Sequence, residues 1–148
     1  MSIIYIQGPP HSEDWRAEPI ATIVTADPPS RPGPVFHTHA NEPLQVATTL
    51  YRAGHKVAPH RHPPQFRPAF NGSTQEVLVM QRGRLLIHFF DSLGTYAGVW
   101  TLKIGDVCLI VGGGHSLEAL TEVELVEVKT GPFVAGRDKV ALEVASHV

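Results

Sequence analysis

Short runs of apolar and β-branched residues, separated by turn-forming residues, dominate the chain from residue 44 onward. Apolar and polar positions alternate within many of these runs, which is the period of a strand with one buried face. The 13 prolines and 13 glycines punctuate the runs and never interrupt a long stretch of helical periodicity. The pattern therefore predicts an all-β protein without a long helix.

Nine candidate strands follow one another at the close spacing of a β-sandwich. They cover Leu44 to Tyr51, His55 to His62, Glu76 to Gln81, Arg84 to Phe90, Thr95 to Leu102, Val107 to Val111, His115 to Leu120, Val123 to Lys129 and Lys139 to Val144. Turns such as Arg82-Gly83 and Gly112-Gly113-Gly114 supply residues that tolerate positive φ, so consecutive strands can pair antiparallel. We expect a two-sheet jelly roll or small barrel over residues 44–148.

Residues 1–43 are predicted to form an irregular N-terminal arm. Pro28-Pro29 and Pro32-Gly33-Pro34 interrupt continuous strand pairing, although Ile20 to Thr25 has the composition of one strand. We expect the arm to pack on the barrel or on a partner subunit. The arm and the exposed sheet edges together favour a homodimer.

Length and charge restrict the classes of partner. A chain of 148 residues with 43% apolar content can bury the core of a single domain. The formal net charge is −2 and no block of like charges is present, which disfavours nucleic acid and anionic membranes as partners. A small polar molecule is the expected ligand.

The cysteine content and the N-terminus favour the cytoplasm. Cys108 is the single cysteine and lies in the apolar run Val107-Cys108-Leu109-Ile110-Val111, so it is expected to be a buried thiol outside any internal disulfide. The N-terminal stretch has no basic region and meets Gly8-Pro9-Pro10 early, and no later apolar run reaches the length of a membrane span. We expect neither secretion nor membrane insertion.

His60-Arg61-His62 is the most informative feature of the chain. Alternate residues of a strand point to the same face, so both imidazoles enter the same space. Two imidazole nitrogens and a carboxylate make a site for a divalent metal, and Glu76 heads the apolar strand Val77-Leu78-Val79-Met80, where an unpaired charge is costly to bury. The pattern predicts a metal site.

The spacing of these residues resembles the two signature motifs of the cupin superfamily. The matching residues are Gly54-x5-His60-x-His62, Glu76-x6-Gly83 and Gly105-x5-Val111-x-Gly113-x-His115. The resemblance implies a double-stranded β-helix in which His60, His62, Glu76 and His115 bind one divalent metal. Further stretches, among them Glu127-Val128-Lys129-x-Gly131-Pro132, are similar to small cupins of poorly defined function, some associated with nucleotide-sugar and polysaccharide pathways.

Three functional hypotheses follow. Three imidazoles and one carboxylate suit Fe, Mn, Ni or Zn and leave coordination positions open, which favours a metal-dependent enzyme such as an isomerase, epimerase or dioxygenase. Its expected substrate is a small polar molecule, with sugar-like molecules among the candidates. The second hypothesis is a binding or sensing module with a structural or anchoring metal. The third is metal-free acid/base catalysis by the same histidines.

Weaker signals predict residues that contact the ligand. Thirteen proline-rich residues separate His62 from Glu76, and Phe66 and Arg67 within this stretch are candidates for a lid. Strand alternation places Lys56 on the face of His60 and His62, and Met80 on the face of Glu76. All four are predicted to be substrate-binding residues.

Overall fold

The fold was analysed in a computed structural model. It describes residues 3–7, 19–24, 31–63 and 74–144. Among these residues all regular secondary structure is β-strand. No helix in the described ranges has the length and hydropathy that a membrane crossing requires.

Twelve strands lie within the described ranges. They are β1 (Ile3–Gln7), β2 (Pro19–Val24), β3 (Gly33–Phe36), β4 (Leu44–Tyr51), β5 (Lys56–Arg61), β6 (Glu76–Arg82), β7 (Arg84–Phe90), β8 (Tyr96–Lys103), β9 (Val107–Ile110), β10 (Gly114–Ala119), β11 (Val123–Thr130) and β12 (Val140–Ala141). The nine strands predicted from residue 44 onward all occur, with boundaries shifted by a few residues. The last of them is reduced to the two residues of β12.

Two five-stranded antiparallel sheets form the body of the protein. One has the strand order β12-β5-β10-β7-β8, and the other has the order β3-β4-β11-β6-β9. From β4 to β12 consecutive strands alternate between the two sheets, except that β7 and β8 are neighbours in one sheet. Such alternation is typical of a jelly roll. β1 and β2 form a separate antiparallel pair, and β2 corresponds to the strand predicted from Ile20 to Thr25.

β3 was not predicted, because its prolines were interpreted as barriers to pairing. Pro34 nevertheless lies opposite Thr49 of β4. The pairing is possible because β3 is the outermost strand of its sheet, so the missing N–H of proline can face away from the neighbouring strand. Residues 33–36 therefore extend the sheet that carries Glu76.

The apolar core occupies one end of the space between the sheets. Its residues that are at most 2% exposed include Leu78, Met80, Leu85, Ile87 and Leu125. They come from β6, β7 and β11 and belong to a single buried cluster. Each such side chain contributes roughly 1.5–3 kcal/mol by its removal from water, so this end supplies much of the stability of the fold.

Candidate metal centre

The four predicted ligands come from both sheets and face the same cavity. His60 on β5 is the register partner of His115 on β10, while His62 follows immediately after β5. Glu76 is the first residue of β6 in the opposite sheet. The cavity that they line has a volume of about 160 Å³.

The three imidazoles form a compact group. His60, His62 and His115 each offer one ring nitrogen, and these three nitrogens all lie within 4.8 Å of one another. The ring centroids of His60 and His115 are 4.4 Å apart, and those of His60 and His62 are 5.3 Å apart. This grouping is the one that a shared metal ion requires.

Backbone carbonyls set the orientation of two imidazoles. Nδ1 of His60 lies 2.9 Å from the carbonyl oxygen of Ala58, and Nδ1 of His62 lies 2.6 Å from that of Asp138. A carbonyl only accepts hydrogen bonds, so each Nδ1 carries a proton and Nε2 is the nitrogen that can bind a metal. Metal-binding histidines are commonly fixed in this way by a bond at the second nitrogen.

Two buried atoms of this group lack a hydrogen-bond partner among the described residues. They are Nε2 of His62 and Oε2 of Glu76. The Glu76 oxygen lies 3.6 Å from Nε2 of His62 and 3.4 Å from Nε2 of His115, while the glutamate as a whole is 6% exposed. Buried polar atoms without partners are costly, and a cation between them would satisfy both.

Glycines control the position of His115. Gly113 has a φ of 68°, and a Cβ there would lie 2.3 Å from the carbonyl oxygen of Phe90. A Cβ on Gly114 would lie 2.4 Å from a methyl group of Leu142 and 3.0 Å from the carbonyl oxygen of His60. These glycines allow β10 to approach β5 closely at the point where His60 and His115 meet.

The imidazoles differ in the direction in which their pKa values change, because burial and the Glu76 carboxylate have opposite effects. Burial lowers the pKa of His115 to about 4 and also lowers the pKa of His60. Burial opposes protonation of His62 as well, but the adjoining Glu76 outweighs it and raises the pKa of His62. Burial likewise opposes ionisation of Glu76, yet the imidazoles of His62 and His115 lower its pKa. Two neutral imidazoles and a carboxylate therefore face the cavity at neutral pH.

Sequence reasoning missed four charged residues that line the same cavity. Glu127 and Lys129 lie on β11, and Asp138 and Lys139 precede β12. Burial, followed by the charge of Glu76, raises the pKa of Glu127 to about 8. Nζ of Lys129 donates a hydrogen bond to Oδ2 of Asp138. Leu125, Glu127 and Lys129 occupy alternate positions of β11. This alternation could have placed Glu127 and Lys129 on the inward face of the strand.

The parity argument for Lys56 is wrong. Between His115 and Leu117 of β10, the partner strand advances from His60 to Val57, so β5 contains one extra residue. Such a bulge reverses the phase of the strand. The side chain of Lys56 is 70% exposed and pairs with Glu118 at 3.4 Å instead of lining the cavity.

The remaining predicted ligand contacts fall elsewhere. Met80 does share the inward face of Glu76, but it is 2% exposed and lies in the apolar core rather than along the cavity. Phe66 and Arg67, the proposed lid residues, lie outside the described residues. Their role in ligand binding stays a prediction.

Comparison with solved structures identifies the architecture. A protein from Klebsiella pneumoniae with a double-stranded β-helix domain matches with a TM-score of 0.54 and 18% identity, over 78% of this chain and 90% of the other. Oxalate decarboxylase from Bacillus subtilis matches with a TM-score of 0.55 and 19% identity, over 69% of this chain and 24% of the enzyme. A cupin superfamily protein from Desulfitobacterium hafniense matches with a TM-score of 0.52 and 10% identity, over 72% and 83% of the two chains.

Sequence comparison adds no closer relative, since neither a family model nor a curated protein matches the chain. At these identities the structural likeness concerns the fold and not the reaction. The same fold is indicated by the two antiparallel sheets, by their strand order and by the structural neighbours. The chain has the cupin fold, the double-stranded β-helix.

Proposed function

We propose that this protein is a metal-dependent enzyme that acts on a small polar molecule, with the ion held by His60, His62, His115 and Glu76. The observation that carries the proposal is the pair of buried atoms without partners, Nε2 of His62 and Oε2 of Glu76, which face each other beside two further imidazoles. Buried polar atoms without partners are costly, so their retention at this cavity favours a bound cation or ligand.

The donor set restricts the ion to a borderline transition metal such as Fe, Mn, Ni or Zn. Once bound, such an ion supplies Lewis acidity at its open positions. The chain itself orients the ligands through the carbonyls of Ala58 and Asp138. The apolar floor, formed by Tyr51, Val57 and Leu117, limits access of water from the core side.

A second candidate function is acid/base catalysis without a metal. The observation that favours it is the neighbouring pair Glu76 and Glu127, whose pKa values are displaced in opposite directions. A carboxylate beside a protonated carboxyl group offers a base and an acid in one cavity. The metal content of the protein separates this candidate from the first.

Metal analysis tests the first proposal directly. Protein purified without a histidine tag is expected to bind close to one equivalent of Mn(II) or Zn(II) by elemental analysis and calorimetry. The substitution His62→Ala is expected to lower the affinity more than about 100-fold, because loss of a ligand should exceed the 10–100-fold effect of losing a residue that supports one.

His88→Ala is the matched control, because β7 directs Leu85 and Ile87 into the core and His88 to the opposite face. This variant is expected to bind metal like the parent protein. Wild-type protein without stoichiometric metal would contradict the proposal and leave the metal-free candidate. Loaded protein is then assayed with small hydroxy acids, keto acids and sugars, in air and anaerobically, to separate isomerisation from oxidation.

A further inference from the structure

Lys129 is the most unusual charged residue of the cavity. It lies on the inward face of β11 and is 5% exposed, although lysine is among the residues least often buried. Its ammonium group contacts Oδ2 of Asp138 and lies 5.2 Å and 5.6 Å from the ring centroids of Phe36 and Phe133. The cation is thus held at a fixed place in the cavity wall.

Asp138 does not use the full binding capacity of this ammonium group. A lysine has three N–H donors, and within the described ranges Asp138 accepts the one hydrogen bond that Lys129 donates. The other carboxylate oxygen of Asp138, Oδ1, is buried without a partner there. As far as the described residues go, two donors of Lys129 remain for a molecule in the cavity.

The charges around the cavity favour an anionic ligand. Lys129 and Lys139 line it together with three carboxyl groups, those of Glu76, Glu127 and Asp138. With a divalent ion bound and neutral imidazoles, the two lysines and the ion exceed the three carboxylates by one positive charge, even when every carboxyl group is ionised. A small anion balances that excess, and Coulomb attraction is strong in so buried a place.

The shape of the cavity limits the size of the ligand. Its volume of about 160 Å³ is below the range of roughly 300–1,000 Å³ that is usual for sites of drug-sized ligands. The rings of Phe36 and Phe133 are each 41% exposed, and their centroids are 6.5 Å apart beside the ammonium group. These rings shield Lys129 from water, which strengthens a charge-assisted hydrogen bond.

We propose that Lys129 is the anion-binding residue of this cavity and that the substrate is a small carboxylate, with its charged end on Lys129 and its other end toward the three histidines. The proposal rests on the proposed function for the position of the ion, and it adds the class of substrate.

Malonate and its neutral diamide, malonamide, are the probes of the test. Both are titrated into Zn(II)-loaded protein and followed by calorimetry. Wild-type protein is expected to bind malonate at least about tenfold more tightly than malonamide, and Lys129→Gln is expected to remove most of that difference. Lys129→Arg, which keeps the charge, is expected to retain part of it.

Lys56→Gln is the matched control, because Lys56 is an exposed lysine of an outer face. It is expected to bind malonate like the parent protein. Equal malonate affinity of the folded Lys129→Gln variant and wild type would overturn the proposal.

A second measurement uses unmodified side chains, in case the variants do not fold. The ¹⁵Nζ resonance of Lys129 in wild-type protein is expected to shift on addition of malonate and to stay in place with malonamide. An unshifted resonance with saturating malonate would overturn the proposal. Metal stoichiometry is recorded in the same samples, so a protein that binds no metal but shows the malonate shift contradicts the proposed function and leaves the anion site standing.

Discussion

The two ends of the β-sandwich are built from the same strands and have opposite chemistry. The inward face of β6 carries Glu76 at one end and Met80 toward the other, and that of β11 carries Lys129 and Leu125 in the same sense. At the Met80 end the side chains are apolar and buried without polar partners. At the Glu76 end buried charges are gathered around a cavity.

This difference separates what stabilises the fold from what the site requires. Buried apolar groups gain free energy simply by leaving water, whereas buried charges lose hydration and need compensation. Among the described residues, Lys129 finds that compensation in Asp138, while Glu76 and His62 keep atoms without a partner. A bound ion and ligand would complete the polar end, and the apolar end is complete without them.

The largest effect is expected from a substitution that creates a cavity in the apolar end. Leu78→Ala is expected to lower the free energy of unfolding by about 2–5 kcal/mol, because Leu78 is 1% exposed and its removal leaves a void. Urea denaturation measures the change. Metal stoichiometry of the folded protein is expected to be unchanged.

Leu109→Ala is the control for this substitution, because Leu109 is 57% exposed on β9. Its effect is expected to stay within about 0.5 kcal/mol. Equal losses from both substitutions would mean that stability does not reside in the apolar end.

The pH dependence of metal binding sharpens the comparison at the polar end. His62 has a pKa above the ordinary 6.5, whereas burial lowers the pKa values of His60 and His115. As pH falls through 6.5 and below, metal must therefore displace one proton, that of His62, and the apparent affinity is expected to fall about tenfold, or 1.4 kcal/mol, per pH unit. Calorimetry with Zn(II) between pH 5.5 and pH 7.5 measures the slope.

Two outcomes of that titration would contradict the assignment. An affinity independent of pH over this range would exclude ligation by a His62 whose pKa is raised. Displacement of three protons by the metal near pH 6.5 would mean that His60 and His115 are hydrated like free histidines and not buried in the cavity.

An effect confined to high pH is expected for Glu127→Gln in the metal-free protein. Glu127 has a folded-state pKa of about 8 against an ordinary 4.5, so folding takes up a proton between these values and stability falls as pH rises from 4.5 to 8. Glutamine cannot ionise. The variant is expected to match wild type at pH 4 and to be more stable by several kcal/mol at pH 8, since each pKa unit corresponds to about 1.4 kcal/mol.

Thermal denaturation across this pH range measures the difference. Glu143→Gln, at an exposed position, is the control and is expected to follow wild type throughout. A Glu127→Gln variant that has the stability of wild type at both pH values would show that Glu127 is hydrated and not part of the buried polar end.

The sequence predicted the features that depend on local alternation. The antiparallel strands from Leu44 to Thr130 follow from period-two patterning and from the glycines at their turns. The convergence of His60 and His62 on one cavity follows from the same period, because the two residues are adjacent alternate positions.

Features that depend on neighbours were not predictable from the pattern. The bulge in β5 lies between Val57 and His60, and it reversed the phase assigned to Lys56. Whether Pro34 can pair depends on whether its strand lies at the edge of a sheet. Lys129 contacts Asp138 because the loop before β12 brings Asp138 to the cavity. The sequence of that loop has no hydrophobic period from which its path could be predicted.

Asp138 contacts both halves of the cavity at once. Its backbone carbonyl accepts a hydrogen bond from Nδ1 of His62, and its carboxylate accepts a hydrogen bond from the ammonium group of Lys129. An occupant that draws Lys129 away from this carboxylate perturbs the residue that steers a metal-binding imidazole. Thermodynamic reciprocity then requires that the bound anion change the affinity for the ion by the same factor as the bound ion changes the affinity for the anion.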